Sequence, residues 1–393
     1  MTSSENLNLS KRAMSSSSSP IREMFDLASQ YAGNDLVSLA IGEPDFTTPS
    51  HIIEAAADAA KKGATHYTHN AGLFELREAI SQKMIAENNI KFDPNSEIIV
   101  TNGAMEAIFL ALLSTINPGD EVIFPTPCWP NYFSQVKLIG GIPVMAPLSE
   151  STGFQLDSET IIEKISEKTT AIVLNSPNNP TGVVYDEKEL NKVVNAASEN
   201  NIYVISDEVY EGLTYEGSPA SLASYVDHPE NVLVVNSCSK KYAMTGWRLG
   251  WLAGNKHIIS ASAKFHQSTT SSASSVSQMA ALAAITGDQK PIQEMKKEFQ
   301  LRRDYVVDRI NNIKGVSCPH PGGAIYVFLN VDSLNGSDSD IAKRLLMDYG
   351  VVTVPGSGFG AEGSYIRLSI ASSLDQLKKG LDKIETMVET ELN

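Results

Sequence analysis

Short apolar runs alternate with amphipathic stretches along most of this chain, and that alternation sets the expected architecture. A helical pattern from about Ile21 to Tyr31 leads into a short apolar strand, Leu36 to Ala40, which stops at Gly42-Glu43-Pro44-Asp45. Ile52 to Lys62 and Leu73 to Glu87 repeat their apolar residues at helical spacing, and the polar loop His66-Tyr67-Thr68-His69-Asn70-Ala71-Gly72 separates them. Glu97 to Val100 precedes a helix at Ala104 to Ile116, and Glu121 to Phe124 precedes one around Tyr132 to Leu138. Further apolar runs follow at Ile142 to Ala146, Thr170 to Leu174, Ile202 to Ser206 and Val232 to Val235. Strands separated by helical patterns predict right-handed crossovers and a mainly parallel sheet covered on both faces, an α/β fold. The ligand crevice of such a sheet lies outside the carboxyl ends of its strands. The polar motifs of this chain fall there.

A long charged helix from about Pro291 to Ile313 leaves that unit. Beyond it, Ala324 to Asn330, a helix near Asp340 to Tyr349, Val351 to Val354, Tyr365 to Ile370 and a final helix from Leu374 form a smaller α+β unit. A length of 393 residues suits two domains, one large and one small. Hydrophobic residues at 42% and charged residues at 20% are ordinary for a soluble globular enzyme. No apolar run approaches the roughly 18 residues of a membrane span. A formal charge of −15 disfavours nucleic acid and anionic membranes as partners, while leaving room for a local basic pocket. Cys128, Cys238 and Cys318 are odd in number and far apart, which points to a reducing cytoplasm. Residues 1–19 are Ser-rich and polar, without the apolar centre of a secretory leader, and read as a flexible lead-in. The seven histidines show no ligand spacing, so no metal is expected.

The chemistry concentrates after the strand at Val232 to Val235, in Asn236-Ser237-Cys238-Ser239-Lys240-Lys241-Tyr242-Ala243-Met244-Thr245-Gly246-Trp247-Arg248-Leu249-Gly250. A lysine amine forms a Schiff base with a carbonyl, while serine hydroxyls and a guanidinium hold a phosphate dianion through charge-assisted bonds. Pyridoxal phosphate, an aldehyde that carries a phosphate, needs both. Asp207 ends the run Ile202 to Ser206 and offers a carboxylate at the sheet edge for a pyridinium nitrogen, keeping that nitrogen protonated. In isolation an Asp-Glu pair after a strand reads as a solvated strand end; Lys240 about one strand later reverses that reading. Gly103-Ala104-Met105 sits where a strand gives way to an apolar helix, so free backbone N–H groups and the positive helix end face outward as a dock for phosphate.

At the Lys240 stretch the chain resembles the fold-type I, class I aminotransferases, whose signature is Ser-x-Ser-Lys followed eight residues later by an Arg inside Gly-Trp-Arg-x-Gly. The resemblance runs from about residue 20 to the C-terminus, through Gly42-Glu43-Pro44-Asp45-Phe46 and Asn175-Ser176-Pro177-Asn178-Asn179-Pro180-Thr181-Gly182. It looks closest to the bacterial and archaeal aspartate aminotransferases. What it implies is a large domain over 46–290 around a seven-stranded type of sheet, and a discontinuous small domain from 20–45 and 291–393. It also implies pyridoxal 5′-phosphate on Lys240, with Asp207 against the ring nitrogen and Trp129 stacked on the ring. Tyr210 and Asn179 are both candidates to hold the phenolic oxygen. The implied phosphate cup is Gly103, Ala104, Met105, Ser237, Ser239 and Arg248, joined by Tyr67 from the neighbouring subunit of a homodimer. Arg367, in Tyr365-Ile366-Arg367-Leu368-Ser369, would clamp the substrate α-carboxylate with two parallel bonds, beside Gly42, Trp129 and Asn179. Alternation alone would put Arg367 on an exposed strand face.

One position departs from the pattern. Where aspartate-specific bacterial members carry a lysine for the distal carboxylate of the substrate, this chain has Met105, which cannot pair with an anion. Another cation, or hydroxyls such as those of Ser268, Thr269 or Thr270, would take that part unless the substrate is neutral or aromatic. The resemblance therefore implies transfer of an amino group from an L-amino acid to a 2-oxo acid, 2-oxoglutarate being the expected acceptor and aspartate the leading donor, with ping-pong kinetics. The alternatives are an alanine or aromatic aminotransferase, or a pyridoxal-phosphate β-lyase on the same scaffold.

Overall fold

The structure is a computed structural model that describes residues 9–14, 20–31, 33, 35–216 and 221–392. The expectation for residues 1–19 therefore falls largely outside the described residues; within that stretch Lys11–Met14 is helical. The strands are β1 (Val37–Ser38), β2 (Ile98–Thr101), β3 (Glu121–Thr126), β4 (Ile142–Pro147), β5 (Thr169–Asn175), β6 (Tyr203–Asp207), β7 (Val232–Ser237), β8 (Gly250–Ala253), β9 (Tyr326–Asn330), β10 (Val351–Val352), β11 (Val354–Pro355) and β12 (Tyr365–Ser369).

Seven of them form one sheet in the order β2-β8-β7-β6-β5-β3-β4. Every pairing in it is parallel except those of β8, which runs antiparallel to both β2 and β7. The sheet is covered on both faces, so its strands read as continuous apolar runs. Neighbouring residues point to opposite sides: Val122 and Phe124 join the cluster beneath helix Ala104–Thr115, while Ile123 between them joins the larger cluster on the other face. No helix among the described residues is long and apolar enough to cross a membrane.

The apolar pattern of the sequence predicts no strand at β8. Its four residues are entered through the short 3₁₀ turn Thr245–Trp247 instead of a helical crossover, so no change of periodicity marks it. Helices Lys256–Thr269 and Ser275–Thr286 are likewise present beyond the elements that the pattern predicts.

The remaining strands belong to two smaller sheets. β11, β12 and β9 form an antiparallel three-stranded sheet, and β1 pairs in parallel with β10 through Val37 opposite Val351. The expected run Val351 to Val354 breaks at buried Thr353, because its two halves pair with different partners. Helix Asp338–Tyr349 starts two residues before the expected Asp340, where Ser337 and Asp340 cap each other reciprocally. Helix Pro20–Ala28 stops short of the expected Tyr31. The carboxyl ends of β5, β6 and β7 face the segment after β1 and the inner residues of β12. The gap between them is the crevice that the sheet topology calls for.

Candidate active site

A cavity of about 360 Å³ opens in that crevice. Asn175, Asp207, Ser237, Ser239 and Lys240 line it from the sheet side; Ile41, Gly42, Tyr326 and Arg367 line it from the other.

Asp207 is the last residue of β6 and is buried. Tyr132 Oη donates to its Oδ2 at 2.6 Å, the Val209 N–H donates to Oδ1 at 3.2 Å, and Asn175 Nδ2 holds its backbone carbonyl at 3.0 Å. Burial pushes the carboxyl up to about 6 against the opposing pull of Tyr132, Val209 and Lys240. Asp207 thus lies on a central strand of the sheet, desolvated and held in one orientation. The solvated strand end that the motif allowed in isolation is not what forms.

Lys240 belongs to the short helix Cys238–Lys241, whose start is capped by Ser237 Oγ accepting the Ser239 N–H at 3.2 Å. Its Nζ donates to the Gly42 carbonyl and lies 5.8 Å from the centre of the Tyr210 ring. Tyr210 Oη meets Tyr326 Oη at 2.8 Å, and burial pushes the Tyr210 phenol pKa up. Trp129 lines the same cavity and packs edge-on against Tyr132, centroids 5.4 Å apart.

Arg367 on β12 is only 2% exposed, in contrast to the exposed strand face that alternation allowed. Its Nη1 donates to Asn179 Oδ1 at 3.0 Å and its Nη2 to the Ala40 carbonyl at 2.7 Å, while Nε is buried with no hydrogen-bond partner among the described residues. The guanidinium carbon sits 4.4 Å from the Tyr326 ring centre and 5.0 Å from that of Phe359. Burial lowers its pKa.

Arg248 adopts a left-handed backbone with φ 52° and donates from Nη1 to the Thr245 carbonyl at 2.8 Å. Gly103, at φ +82°, is the N-cap of helix Ala104–Thr115 and provides no side-chain cap, so the helix start stays open to an outside acceptor. A Cβ on Gly103 would come within 2.7 Å of Arg248 Nη2, and one on Gly250 within 2.7 Å of the Ala104 nitrogen. These two glycines allow guanidinium and helix start to share one small volume. Ala104 and Met105 line the cavity; Gly103 is not among the lining residues. Tyr67 lies outside it, 91% exposed on its loop.

Seven lining residues are not among the site residues expected from the sequence: Ile41, Glu43, Val209 and Thr245, and the three with side chains bonded in or beside the site, Tyr132, Asn175 and Tyr326. Tyr132 stands three residues after Trp129 and Asn175 opens the Asn-Ser-Pro-Asn-Asn run, so each had a neighbouring signal. Tyr326, at the start of an apolar strand, had none. The hydroxyls proposed to replace a distal cation are engaged elsewhere: Ser268 and Thr269 bond to the Lys264 and Phe265 carbonyls, and Thr270 donates to Glu106 at 2.6 Å. Among the described residues lining the cavity, the cations are Lys240, Arg248 and Arg367. No group of three His, Cys, Asp or Glu among the described residues could hold a metal ion.

Residues 34–384 match the model of the family described as aminotransferase class I and II. The chain belongs to this family. The aminotransferase is 42% identical to the aspartate aminotransferase of Bacillus subtilis, over 91% of this chain and 92% of that one. Its structure matches the aspartate aminotransferase from Thermus thermophilus with maleate, at a TM-score of 0.91 and 37% identity, covering 97% of this chain and 99% of that chain. It also matches the aromatic aminotransferase from Pyrococcus horikoshii, at a TM-score of 0.88 and 37% identity, covering 94% and 99%. As a member of this family it depends on pyridoxal 5′-phosphate, and the cavity fits that group: a buried carboxylate lacking a full counter-charge, an amine within reach, and a glycine-walled cradle of guanidinium and uncapped helix start.

Proposed function

We propose that this aminotransferase carries an amino group from an L-amino acid to a 2-oxo acid, with Lys240 as the group that moves the α-proton. The observation that carries this reading is the convergence of Lys240, buried Asp207 and buried Arg367 on one cavity. Asp207 would hold the ring nitrogen, Tyr210 and Asn179 the phenolic oxygen, and Trp129 the ring face. Ser237, Ser239, Arg248 and the backbone of Gly103, Ala104 and Met105 would hold the phosphate. Bound in this way, the cofactor supplies a carbonyl for amines and a ring that draws electrons from the α-carbon.

The protein's own residues do the rest. Arg367 grips the substrate α-carboxylate in a forked contact, its Nε without a partner among the described residues, with Gly42 and Asn179 beside it. That grip fixes the Cα–H bond toward Lys240, whose amine takes the proton and returns it one position away. Positioned acid–base work of this kind contributes roughly 10²–10⁴ in rate. Tyr132 keeps the Asp207 carboxylate aimed at the ring while the proton moves.

Aspartate is the leading donor and 2-oxoglutarate the expected acceptor, in ping-pong order; the 42% identity to an aspartate aminotransferase supports this. A second reading, an aromatic donor, is favoured by Met105 and Trp129 in the cavity wall, where the described lining residues offer no cation beyond Lys240, Arg248 and Arg367. A homodimer is proposed because Tyr67, 91% exposed, is free to reach a second subunit. A cytoplasmic setting is supported by three buried, unpaired cysteines. The division into 46–290 and 20–45 with 291–393 is supported by the pairing of β1 with β10.

The test is Lys240→Ala on purified protein. Multiple turnover should fall by at least about 10²-fold, and the near-ultraviolet or visible band of the lysine-bound cofactor should disappear; continued turnover with an unchanged band rejects the assignment. Product analysis separates the β-lyase: pyruvate and ammonia formed without any 2-oxo acid would replace transamination.

A further inference from the structure

Glu106 does not line the cavity, yet it grips the turn that does. It occupies the first turn of helix Ala104–Thr115, and its Oε2 accepts the backbone N–H of Asn102 at 2.6 Å and Asn102 Nδ2 at 3.0 Å. On the opposite side of the same residue, Arg248 Nη2 reaches the Asn102 carbonyl at 3.5 Å. The Asn102-Gly103-Ala104 turn is therefore pinned from both ends of one residue. Gly103 has no side chain to do this itself.

A second set of contacts ties Glu106 outward. Thr270 donates to its Oε1 at 2.6 Å, and His266 Nε2 stands 3.3 Å from Oε2, an ion-pair distance without hydrogen-bond alignment. His266 is fully buried, and its Nδ1 lies 2.8 Å from the Asn70 carbonyl in the loop that carries Tyr67. Desolvation works against the Glu106 charge, but His266, Asn102 and Thr270 together hold its carboxyl down to about 2. Burial likewise opposes the His266 charge, and Glu106 and the Asn70 carbonyl outweigh it and raise its pKa. His266 also falls in the last turn of helix Lys256–Thr269, where the helix dipole favours a cation.

We propose that Glu106 and His266 are positioning residues for the cofactor's phosphate: they hold the Asn102-Gly103-Ala104 turn against Arg248 and link it to the Tyr67 loop. The proposal rests on the phosphate site assigned above. Neither residue touches the reacting atoms. Their contribution is to fix the donors before the anion arrives, so that less ordering remains to be done on binding.

The experiment is equilibrium binding of pyridoxal 5′-phosphate to full-length protein stripped of cofactor, followed by absorbance, with kcat measured at saturating cofactor. Glu106→Ala should raise the dissociation constant about tenfold, the scale of one lost charge-assisted hydrogen bond, while kcat changes less than about threefold. Glu106→Gln, whose amide oxygen still accepts from Asn102, should recover to within about threefold of wild type. His266→Ala, which leaves the Asn102 contacts in place, should weaken binding by about threefold and carries the test should Glu106→Ala not fold. Unchanged affinity in the alanine variants, even with a lower Tm, would overturn the proposal, as would a Gln variant as weak as Ala. Wild-type protein that takes up no cofactor would instead overturn the site assignment beneath it.

Discussion

Asp207 is held where a carboxylate is costly unless a cation faces it. Burial raises its pKa from 3.8 to about 6, so between those values the folded chain binds more protons than the unfolded one. The sign follows: stability falls as pH rises through that window. Glu208 is driven the same way, to about 7, by burial and then by Glu211. In cofactor-free protein, Asp207→Asn should therefore be more stable than wild type above pH 6, by something of order 2–3 kcal/mol, with the gap closing toward pH 4. Urea unfolding at pH 4, 6 and 8 measures this; equal stability of the two proteins at pH 8 would contradict it. On the proposed placement of the ring nitrogen, bound cofactor should reverse the order, because the carboxylate would then face a cation.

At the scale of elements, the site is made by strand ends and by the turn after β2. Gly103 shows why that turn tolerates nothing larger: its φ of +82° is unfavourable for an L side chain, and the added Cβ would displace Arg248 from the place proposed for it at the phosphate. Gly103→Ala should weaken cofactor binding by about tenfold, on a backbone cost of about 1–2 kcal/mol. An absorbance titration checks it, and unchanged affinity would remove Gly103 from the cup. β5, β6 and β7 were legible in the sequence because parallel strands buried on both faces show as apolar runs ending in polar residues. β8 was not, being four residues long and antiparallel, and neither was helix Lys256–Thr269, whose buried face holds Ser262 and His266 as well as Ile258 and Ile259, so that polar residues stand at half of its inward positions. Within the site, Lys240, Asp207, Arg248 and Arg367 stood out because each sits in a dense local motif. Tyr326 and the Glu106–His266 pair did not, since their partners lie more than 100 residues away in sequence.

At the scale of the whole molecule, the two sides of the cavity come from distant parts of the chain. The large sheet supplies Asp207 at the end of β6 and, through the short helix after β7, Lys240, and β12, more than 100 residues later, supplies Arg367. Gly42, after β1, receives the Lys240 amine, so the segment before residue 46 closes the site together with the C-terminal unit. The account depends on one covalent attachment point in that assembly. Borohydride reduction of the cofactor-loaded enzyme, followed by peptide mass spectrometry, tests it most directly. The prediction is a phosphopyridoxyl mass on Lys240 and on no other lysine, Lys241 included; a label elsewhere, or none, would contradict it.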